Sequence, residues 1–204
     1  MQIEVRVRAK IDNPEVMIQK LEEKGAYFEG SASSTSWYYG KDLFAKQDTQ
    51  IRIVEYNYPE GIKKVYLTYK GPKSEEGRAE MREIFGELKR NSKIFEKLGF
   101  TERDFNTPID AEKILEGNGM EKFAEVKISN EKKYRYGVYE VKVFHLDNAN
   151  VDLIEIELNV AWPKDISKAK EDIHKLMDEL GISKDKEISE SGIELALKNQ
   201  ALSE

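Results

Sequence analysis

The segment from Ile3 to Lys10 alternates strictly between apolar and charged residues, and this pattern constrains the fold more than any other feature of the chain. Its apolar members are Ile3, Val5, Val7 and Ala9, and its charged members are Glu4, Arg6, Arg8 and Lys10. A period of two places successive side chains on opposite faces of a β-strand. The segment therefore predicts a strand with one apolar and one charged face, and the rest of the chain must decide whether the charged face simply lies in water.

Further alternating segments predict more strands, and helical spacings between them predict helices, so the chain contains both. Strands are predicted over residues 26–40, 50–56, 63–70, 78–84, 123–128, 134–146 and 151–158, with a loop over 41–48 and a lysine-rich turn over 129–133. Helices are predicted over residues 14–24, 87–98, 108–116, 163–180 and 191–197. This order predicts one α+β domain over residues 1–204 with two similar halves, and a single closed sheet is one arrangement that it allows.

Composition excludes several classes of protein. The chain has no cysteine, which rules out disulfides and thiolate zinc sites. No stretch approaches the ~20 apolar residues of a membrane span, and no basic segment followed by an apolar run opens the sequence. The formal net charge is −6, which argues against a general nucleic-acid binder. We therefore expect a soluble, cytoplasmic protein with neither a membrane nor a nucleic-acid partner.

The polar faces of the predicted strands concentrate positive charge in a chain whose net charge is −6. They hold nine basic residues, Arg6, Arg8, Lys10, Arg52, Lys64, Lys70, Arg78, Arg82 and Lys127, and four acidic residues, Glu4, Glu80, Glu155 and Glu157. If the sheet is open, the cations form a solvated outer surface. If it closes, they line a bore about wide enough for one small ligand. A buried cationic lining is costly unless an anion fills it, and a triphosphate would supply that anion.

The acidic residues of the same faces need an explanation of their own, because bare carboxylates repel phosphate. Oxygen ligands from Glu4, Glu155 and Glu157 suit Mg²⁺ or Mn²⁺, and such an ion would bridge to phosphate oxygens. The alternative is that these glutamates pair with neighbouring arginines. The residues alone leave both interpretations open.

Several short motifs follow one another at characteristic positions along nearly the whole chain. They are Glu4-x-Arg6-x-Arg8, Ile51-Arg52-Ile53, Leu67-Thr68-Tyr69-Lys70-Gly71-Pro72, Arg78-x-Glu80 and Leu153-Ile154-Glu155-Ile156-Glu157. In order and spacing they resemble the motifs of CYTH proteins, the triphosphate tunnel metalloenzymes that include class IV adenylyl cyclases and thiamine triphosphatases. The third motif is most similar to the class IV adenylyl cyclase branch.

The resemblance implies an eight-stranded antiparallel β-barrel, the triphosphate tunnel, with helices packed outside it. It assigns phosphate binding to Arg8, Arg52, Lys70, Arg78 and Lys127, beside which Arg6, Lys10, Lys64 and Arg82 complete the basic substrate-binding set. It assigns Mg²⁺ or Mn²⁺ binding to Glu4, Glu155 and Glu157, and Glu80 is counted with these metal ligands. It implies no particular catalytic side chain.

Three functions follow from the resemblance. The first is metal-assisted cleavage of a triphosphate in the manner of a class IV adenylyl cyclase, which converts ATP to cyclic AMP and pyrophosphate. The second is hydrolysis of tripolyphosphate or thiamine triphosphate. The third is polyphosphate or nucleotide binding without turnover, because Arg6 and Arg82 stand where the family has glutamates. The expected partner is a small triphosphate, and the oligomeric state is left open, a homodimer included.

Overall fold

The computed structural model describes residues 3–74, 77–86 and 90–201, without the side chains of residues 73–79. Within these residues the strands are β1 (Ile3–Lys10), β2 (Tyr27–Tyr39), β3 (Gln50–Asn57), β4 (Lys63–Ser74), β5 (Gly77–Ile84), β6 (Lys122–Tyr136), β7 (Tyr139–Leu146), β8 (Val151–Val160) and β9 (Glu187–Ile188). The helices are α1 (Pro14–Glu23), α2 (Lys41–Gln47), α3 (Lys93–Lys97), α4 (Pro108–Gly117), α5 (Ile166–Leu180) and α6 (Gly192–Ala201). None of these helices combines the length and the apolarity that crossing a bilayer requires.

The strands form one sheet in the order β5-β4-β3-β2-β6-β7-β8-β1-β9. The pairs β1/β8, β1/β9, β3/β4, β6/β7 and β7/β8 are antiparallel. The predicted α+β class with a large antiparallel sheet is therefore confirmed. Eight strands are long and β9 has only two residues. In the described part of the chain the hydrogen-bonded order begins at β5 and ends at β9 rather than returning on itself.

The chain divides into two compact units. Unit 1 comprises Met1–Ser33, Glu75–Gly77 and Lys127–Glu204, and unit 2 comprises Ser34–Ser74 and Arg78–Val126. Each unit has its own hydrophobic core. The prediction of a single domain over residues 1–204 stays a prediction.

In unit 1, the apolar face of β1, β7 and β8 packs against α1 and α5. Val7 lies opposite Ile156, and Ile156 in turn lies opposite Val141, so three strands contribute to one apolar row. Leu21 of α1 and Ile173 of α5 are buried in the same cluster. The charged residues that alternate with this row are thereby directed to the opposite face of the strands.

Unit 2 follows the same principle with β3 and β4. Ile53 lies opposite Leu67, and both are buried with Phe95 of α3 and Leu115 of α4. Residues of even number on β3 and β4 therefore share the face away from this core. Both units accordingly have helices on the apolar side of their strands and charged or polar side chains on the other.

Capping residues begin the helices where the sequence predicts them. The Asn13 side chain accepts a hydrogen bond from the backbone N–H of Val16 at 3.0 Å, and Pro14 occupies the first helical position of α1. At α4, Thr107 and Asp110 form a reciprocal capping box. The predicted starts of these two helices are confirmed because each rests on a local side-chain interaction.

Some predicted boundaries are wrong. Residues 41–47 form α2 instead of a loop, in a segment too short to show helical periodicity. β4 continues through Pro72 to its end at Ser74. The lysine-rich turn over 129–133 is part of β6, where a register shift between Ser129 and Lys132 absorbs the irregularity as a bulge. Of the helix predicted over 87–98, the described part is α3, and residues 87–89 lie outside the described residues.

We expect Leu67→Ala to lower the free energy of unfolding by about 2–5 kcal/mol, because it opens a cavity in the unit 2 core where Leu67 is 0% exposed. Ile62→Ala is the matched control, since Ile62 precedes the same strand and is 48% exposed. Urea denaturation followed by circular dichroism measures both. Equal midpoints for the two variants would contradict the described packing of β4.

Candidate functional site

A cluster of charged residues covers the polar face of β1, β8 and β7 in unit 1. Arg6 lies opposite Glu157 and Arg8 lies opposite Glu155, while Lys142 lies opposite Glu155 on its other side. We name this group the unit 1 cluster, and its members are Glu4, Arg6, Arg8, Glu140, Lys142, Glu155 and Glu157. Antiparallel register therefore interleaves cations and carboxylates across three strands.

Arg6 is at the centre of the carboxylates. Its Nη1 atom lies 3.4 Å from Glu155 Oε2, 3.8 Å from Glu157 Oε1 and 3.9 Å from Glu4 Oε1. Attraction to Glu155, opposed by burial and aided by Glu4 and Glu157, raises the pKa of Arg6 above its ordinary value. One guanidinium nitrogen thus contacts three of the four residues that the sequence analysis assigns to Mg²⁺ or Mn²⁺, and the fourth, Glu80, lies in unit 2.

Arg8 contacts the same Glu155 oxygen as Arg6, and Lys142 contacts the remaining oxygens of Glu155 and Glu157. Arg8 forms an ion pair with Glu155 through Nη2 and donates a second hydrogen bond from Nε at 3.0 Å. Lys142 Nζ lies 3.1 Å from Glu157, 3.0 Å from Glu140 and 3.8 Å from Glu155. The alternative that the glutamates pair with neighbouring arginines is thus what the structure shows, with a lysine added.

The two buried glutamates of β8 titrate in opposite directions. Burial works to raise the pKa of Glu155, but the charges of Arg6, Arg8 and Lys142 outweigh it and hold this pKa well below its usual range. Burial raises the pKa of Glu157 to about 8, because the attraction of Lys142 is insufficient and the adjacent Glu155 carboxylate repels a second charge. Glu155 is therefore the more acidic of the pair, and Glu157 takes up a proton more readily than an ordinary glutamate.

The unit 1 cluster does not fit a divalent cation. Divalent ions of the Mg²⁺ type are held by carboxylate oxygens that are free to point at the metal. Here the oxygens of Glu155 and Glu157 contact Arg6, Arg8 and Lys142. Across the residues whose side chains are described, no group of three or more acidic or histidine side chains is arranged to hold a metal ion.

A second cluster occupies the polar face of β3, β4 and β5 in unit 2. Arg52 lies opposite Thr68, and Gln50 lies opposite Lys70. We name this group the unit 2 cluster, and its members are Arg52, Lys70, Glu80 and Arg82 with the supporting residues Tyr38, Tyr56, Tyr66 and Thr68. Three cations here accompany one carboxylate.

Arg52 has only neutral partners. Its Nε donates to Thr68 Oγ1 at 3.1 Å and its Nη1 donates to the Tyr38 hydroxyl at 3.0 Å. A guanidinium has five N–H donors, and within the described residues the others have no partner and no carboxylate forms an ion pair with Arg52. The half-buried charge of Arg52 is therefore held in place but not neutralised by contact.

Of the other cations of the unit 2 cluster, Lys70 pairs with Glu80 and Arg82 contacts two tyrosines. Lys70 Nζ lies 3.1 Å from Glu80 Oε2. Burial would raise the pKa of Glu80, but Lys70, Arg52 and Arg82 together lower it below its ordinary value. Arg82 lies over the Tyr66 ring at 4.8 Å, and its Nη2 donates to the Tyr56 hydroxyl at 3.3 Å. The cluster is therefore positively charged in total.

Three further predicted site residues, Lys10, Lys64 and Lys127, are not members of either cluster as defined. Lys10 and Lys127 are exposed in unit 1. Lys64 is exposed in unit 2, where its ammonium lies 5.7 Å from the centre of the Tyr58 ring. Arg78 lies on β5, and its side chain is outside the described residues. Their proposed roles in substrate binding stay predictions.

Sequence reasoning missed several residues that build the two clusters. Glu140 and Lys142 belong to a strand with the same alternation as β1, so the period of two carried a signal for them. Tyr38 and Tyr56 were not predicted to hold guanidiniums, because a hydroxyl or ring partner leaves no charge pattern in the sequence. The geometry of the sheet is needed to find such partners.

Comparison with known proteins identifies a family. The model of the CYTH domain matches residues 1–191 of the chain. A search of the curated proteins gave no match.

Solved structures share the fold. The PH1819 protein from Pyrococcus horikoshii OT3 is 23% identical with a TM-score of 0.74, over 96% of this chain and 98% of that one. A candidate adenylate cyclase from Vibrio parahaemolyticus is 14% identical with a TM-score of 0.71, over 95% and 97%. A candidate adenylyl cyclase from Hippeastrum, described as having a dominant triphosphatase activity, is 16% identical with a TM-score of 0.60, over 97% and 96%. At these identities the likeness concerns the fold alone.

We expect Glu140→Gln to lower the free energy of unfolding by about 2 kcal/mol near neutral pH. Burial alone would raise the pKa of Glu140, but hydrogen bonds and charge from Lys133 and Lys142 lower it from 4.5 to about 2. A lowered folded-state pKa stabilises the fold above pH 4.5, and this stabilisation is lost as the pH falls through about 2.

Urea denaturation at several pH values measures this effect, with the exposed Glu171→Gln as the control. The difference between wild type and Glu140→Gln should be constant above pH 5 and shrink towards about pH 2. A difference that grows as the pH falls would refute the assignment.

Proposed function

Because this chain belongs to the CYTH family, whose domain model covers residues 1–191, we propose that it binds a small triphosphate and that the unit 2 cluster supplies phosphate ligands. The proposal is supported by the charge of the cluster, in which Arg52, Lys70 and Arg82 face one carboxylate, Glu80. A phosphate chain carries several negative charges in a row, so it can engage several cations together. This excess of cations is the property that a polyphosphate site needs.

The single observation that supports this proposal most is that Arg52 is half-buried without an ion-pair partner among the described residues. A charge withdrawn from water without an opposite charge beside it is costly. Thr68 and Tyr38 orient the guanidinium through Nε and Nη1, and the remaining N–H groups have no partner in the described residues. The fork of a guanidinium matches two oxygens of a phosphate group. An incoming phosphate would therefore supply acceptors for these N–H groups and a negative charge closer than Glu80, which acts on Arg52 from beyond ion-pair distance.

Cleavage of the bound triphosphate is the second candidate function. It is favoured by the Hippeastrum neighbour, which is described as having a dominant triphosphatase activity. A reaction like that of class IV adenylyl cyclases would convert ATP to cyclic AMP and pyrophosphate, whereas hydrolysis would act on tripolyphosphate or thiamine triphosphate. Metal-dependent chemistry of either kind needs carboxylates free for Mg²⁺ or Mn²⁺, and those of the unit 1 cluster bind Arg6, Arg8 and Lys142.

We expect Arg52→Ala to weaken tripolyphosphate binding by roughly tenfold to hundredfold, the range that charged hydrogen bonds contribute. Isothermal titration at fixed ionic strength measures the dissociation constant. Lys63→Ala is the matched control, because Lys63 is an exposed cation of β4 that pairs with Glu55. Arg52→Lys should also bind weakly, because an ammonium lacks the fork.

Thermal unfolding separates a binding defect from a folding defect. Without ligand, Arg52→Ala should unfold within a few degrees of wild type, because the removed charge has no ion-pair partner. At a tripolyphosphate concentration that saturates wild type, wild type and Lys63→Ala should gain stability, and Arg52→Ala should gain clearly less. Equal ligand-induced shifts in all three proteins would overturn the assignment of the unit 2 cluster.

An assay of products distinguishes the two candidate functions. The protein is incubated with Mg²⁺ or Mn²⁺ and with ATP, tripolyphosphate or thiamine triphosphate. Cyclic AMP with pyrophosphate identifies the cyclase reaction, and released phosphate identifies hydrolysis. Saturable binding without any product identifies a triphosphate-binding protein.

A further inference from the structure

We propose that the Arg6 guanidinium takes the place of a divalent cation among the carboxylates of the unit 1 cluster, so that this cluster binds neither Mg²⁺ nor Mn²⁺. This inference rests on the proposed function in one respect: if the protein binds a triphosphate, it does so without a metal ion at the unit 1 cluster.

The position of Arg6 is the first support. A divalent cation shared by Glu4, Glu155 and Glu157 would have to lie among their carboxylate groups. Arg6 Nη1 already lies within 3.9 Å of an oxygen from each of the three. The guanidinium and a metal ion would therefore compete for the same space.

The other cations close the remaining approaches. Glu155 Oε2 accepts hydrogen bonds from Arg8, and Glu157 Oε2 accepts one from Lys142 at 3.1 Å. The second oxygen of Glu155 lies 3.8 Å from Lys142. Both oxygens of each β8 glutamate thus face a positive charge, and a metal ion would have to displace these partners before it could bind.

The balance of charge in the unit 1 cluster also disfavours a divalent cation. Three cations, Arg6, Arg8 and Lys142, contact the three candidate metal ligands Glu4, Glu155 and Glu157. With all three carboxylates ionised, their charge is already balanced by these cations. Adding such an ion would leave excess positive charge beside Glu155 and Glu157, which are buried.

The strand register explains why Arg6 occupies this position. Glu4, Arg6 and Arg8 lie on one face of β1, and Arg6 is paired with Glu157 across the β1/β8 ladder. The long side chain of Arg6 extends from this place to Glu155 as well as Glu157. A glutamate at position 6 would instead add a fourth carboxylate beside Glu4, Glu155 and Glu157.

Direct binding of Mn²⁺, without any triphosphate, tests the inference. Free Mn²⁺ is measured by electron paramagnetic resonance for wild type, Arg6→Glu and Lys24→Glu. Lys24→Glu is the matched control, because it makes the same reversal of charge in unit 1 at a residue that pairs with Glu179, outside the cluster. We expect Arg6→Glu to bind one Mn²⁺ at least tenfold more tightly than wild type and Lys24→Glu, with a rise in melting temperature on Mn²⁺ addition.

Two results would overturn the inference. One is tight, saturable Mn²⁺ binding by wild type that Arg6→Glu does not strengthen. The other is a folded Arg6→Glu whose Mn²⁺ affinity equals that of Lys24→Glu. If Arg6→Glu does not fold, Arg6→Gln replaces it, since it removes the guanidinium charge without adding a carboxylate, and it should bind Mn²⁺ more tightly than wild type.

A separate titration keeps this inference distinct from the proposed function. Wild type is titrated with tripolyphosphate in the presence of EDTA. Binding under these conditions is expected, because the unit 1 cluster needs no metal ion. Failure to bind tripolyphosphate in either the presence or the absence of Mg²⁺ would refute the proposed function. Binding that requires Mg²⁺ would refute metal-free binding of the triphosphate but leave the proposed function standing.

Discussion

Burial of an apolar strand face under helices determines the direction of the charged side chains in both units. Val7 and Ile156 pack against the helices of unit 1, so their neighbours Arg6 and Glu157 project from the other face. A shift of one residue in this register would place the charged set in the core. The hydrophobic effect thus assembles the ionic clusters, although no ionic interaction is needed to form the strands.

The two clusters differ in how their charge is compensated. In the unit 1 cluster each buried glutamate contacts more than one cation, so the ions satisfy one another. In the unit 2 cluster Arg52 is bound by hydroxyl groups, and its charge is left for an external anion. An internally neutralised network mainly maintains local geometry, whereas a guanidinium without an ion-pair partner favours a ligand of opposite charge.

The sequence predicted the fold class, the capped helices and the charged faces, because each of these depends on local periodicity or on a local side-chain interaction. It did not predict α2, which is too short to show a period, or the path of β6 through its lysines, which depends on a bulge. For the site, alternation identified Arg6, Arg52 and Glu155. It could not decide between a metal ion and Arg6 as the partner of Glu155, because that choice depends on side-chain positions across strands.

The tyrosines of the unit 2 cluster have a kinetic and entropic consequence. Arg82 lies over the Tyr66 ring and donates to the Tyr56 hydroxyl, and Arg52 donates to the Tyr38 hydroxyl. Long side chains usually lose rotamer freedom when they close on a ligand. Here that loss has occurred during folding, so the guanidinium planes are set before a phosphate arrives, and association should require little rearrangement of the protein.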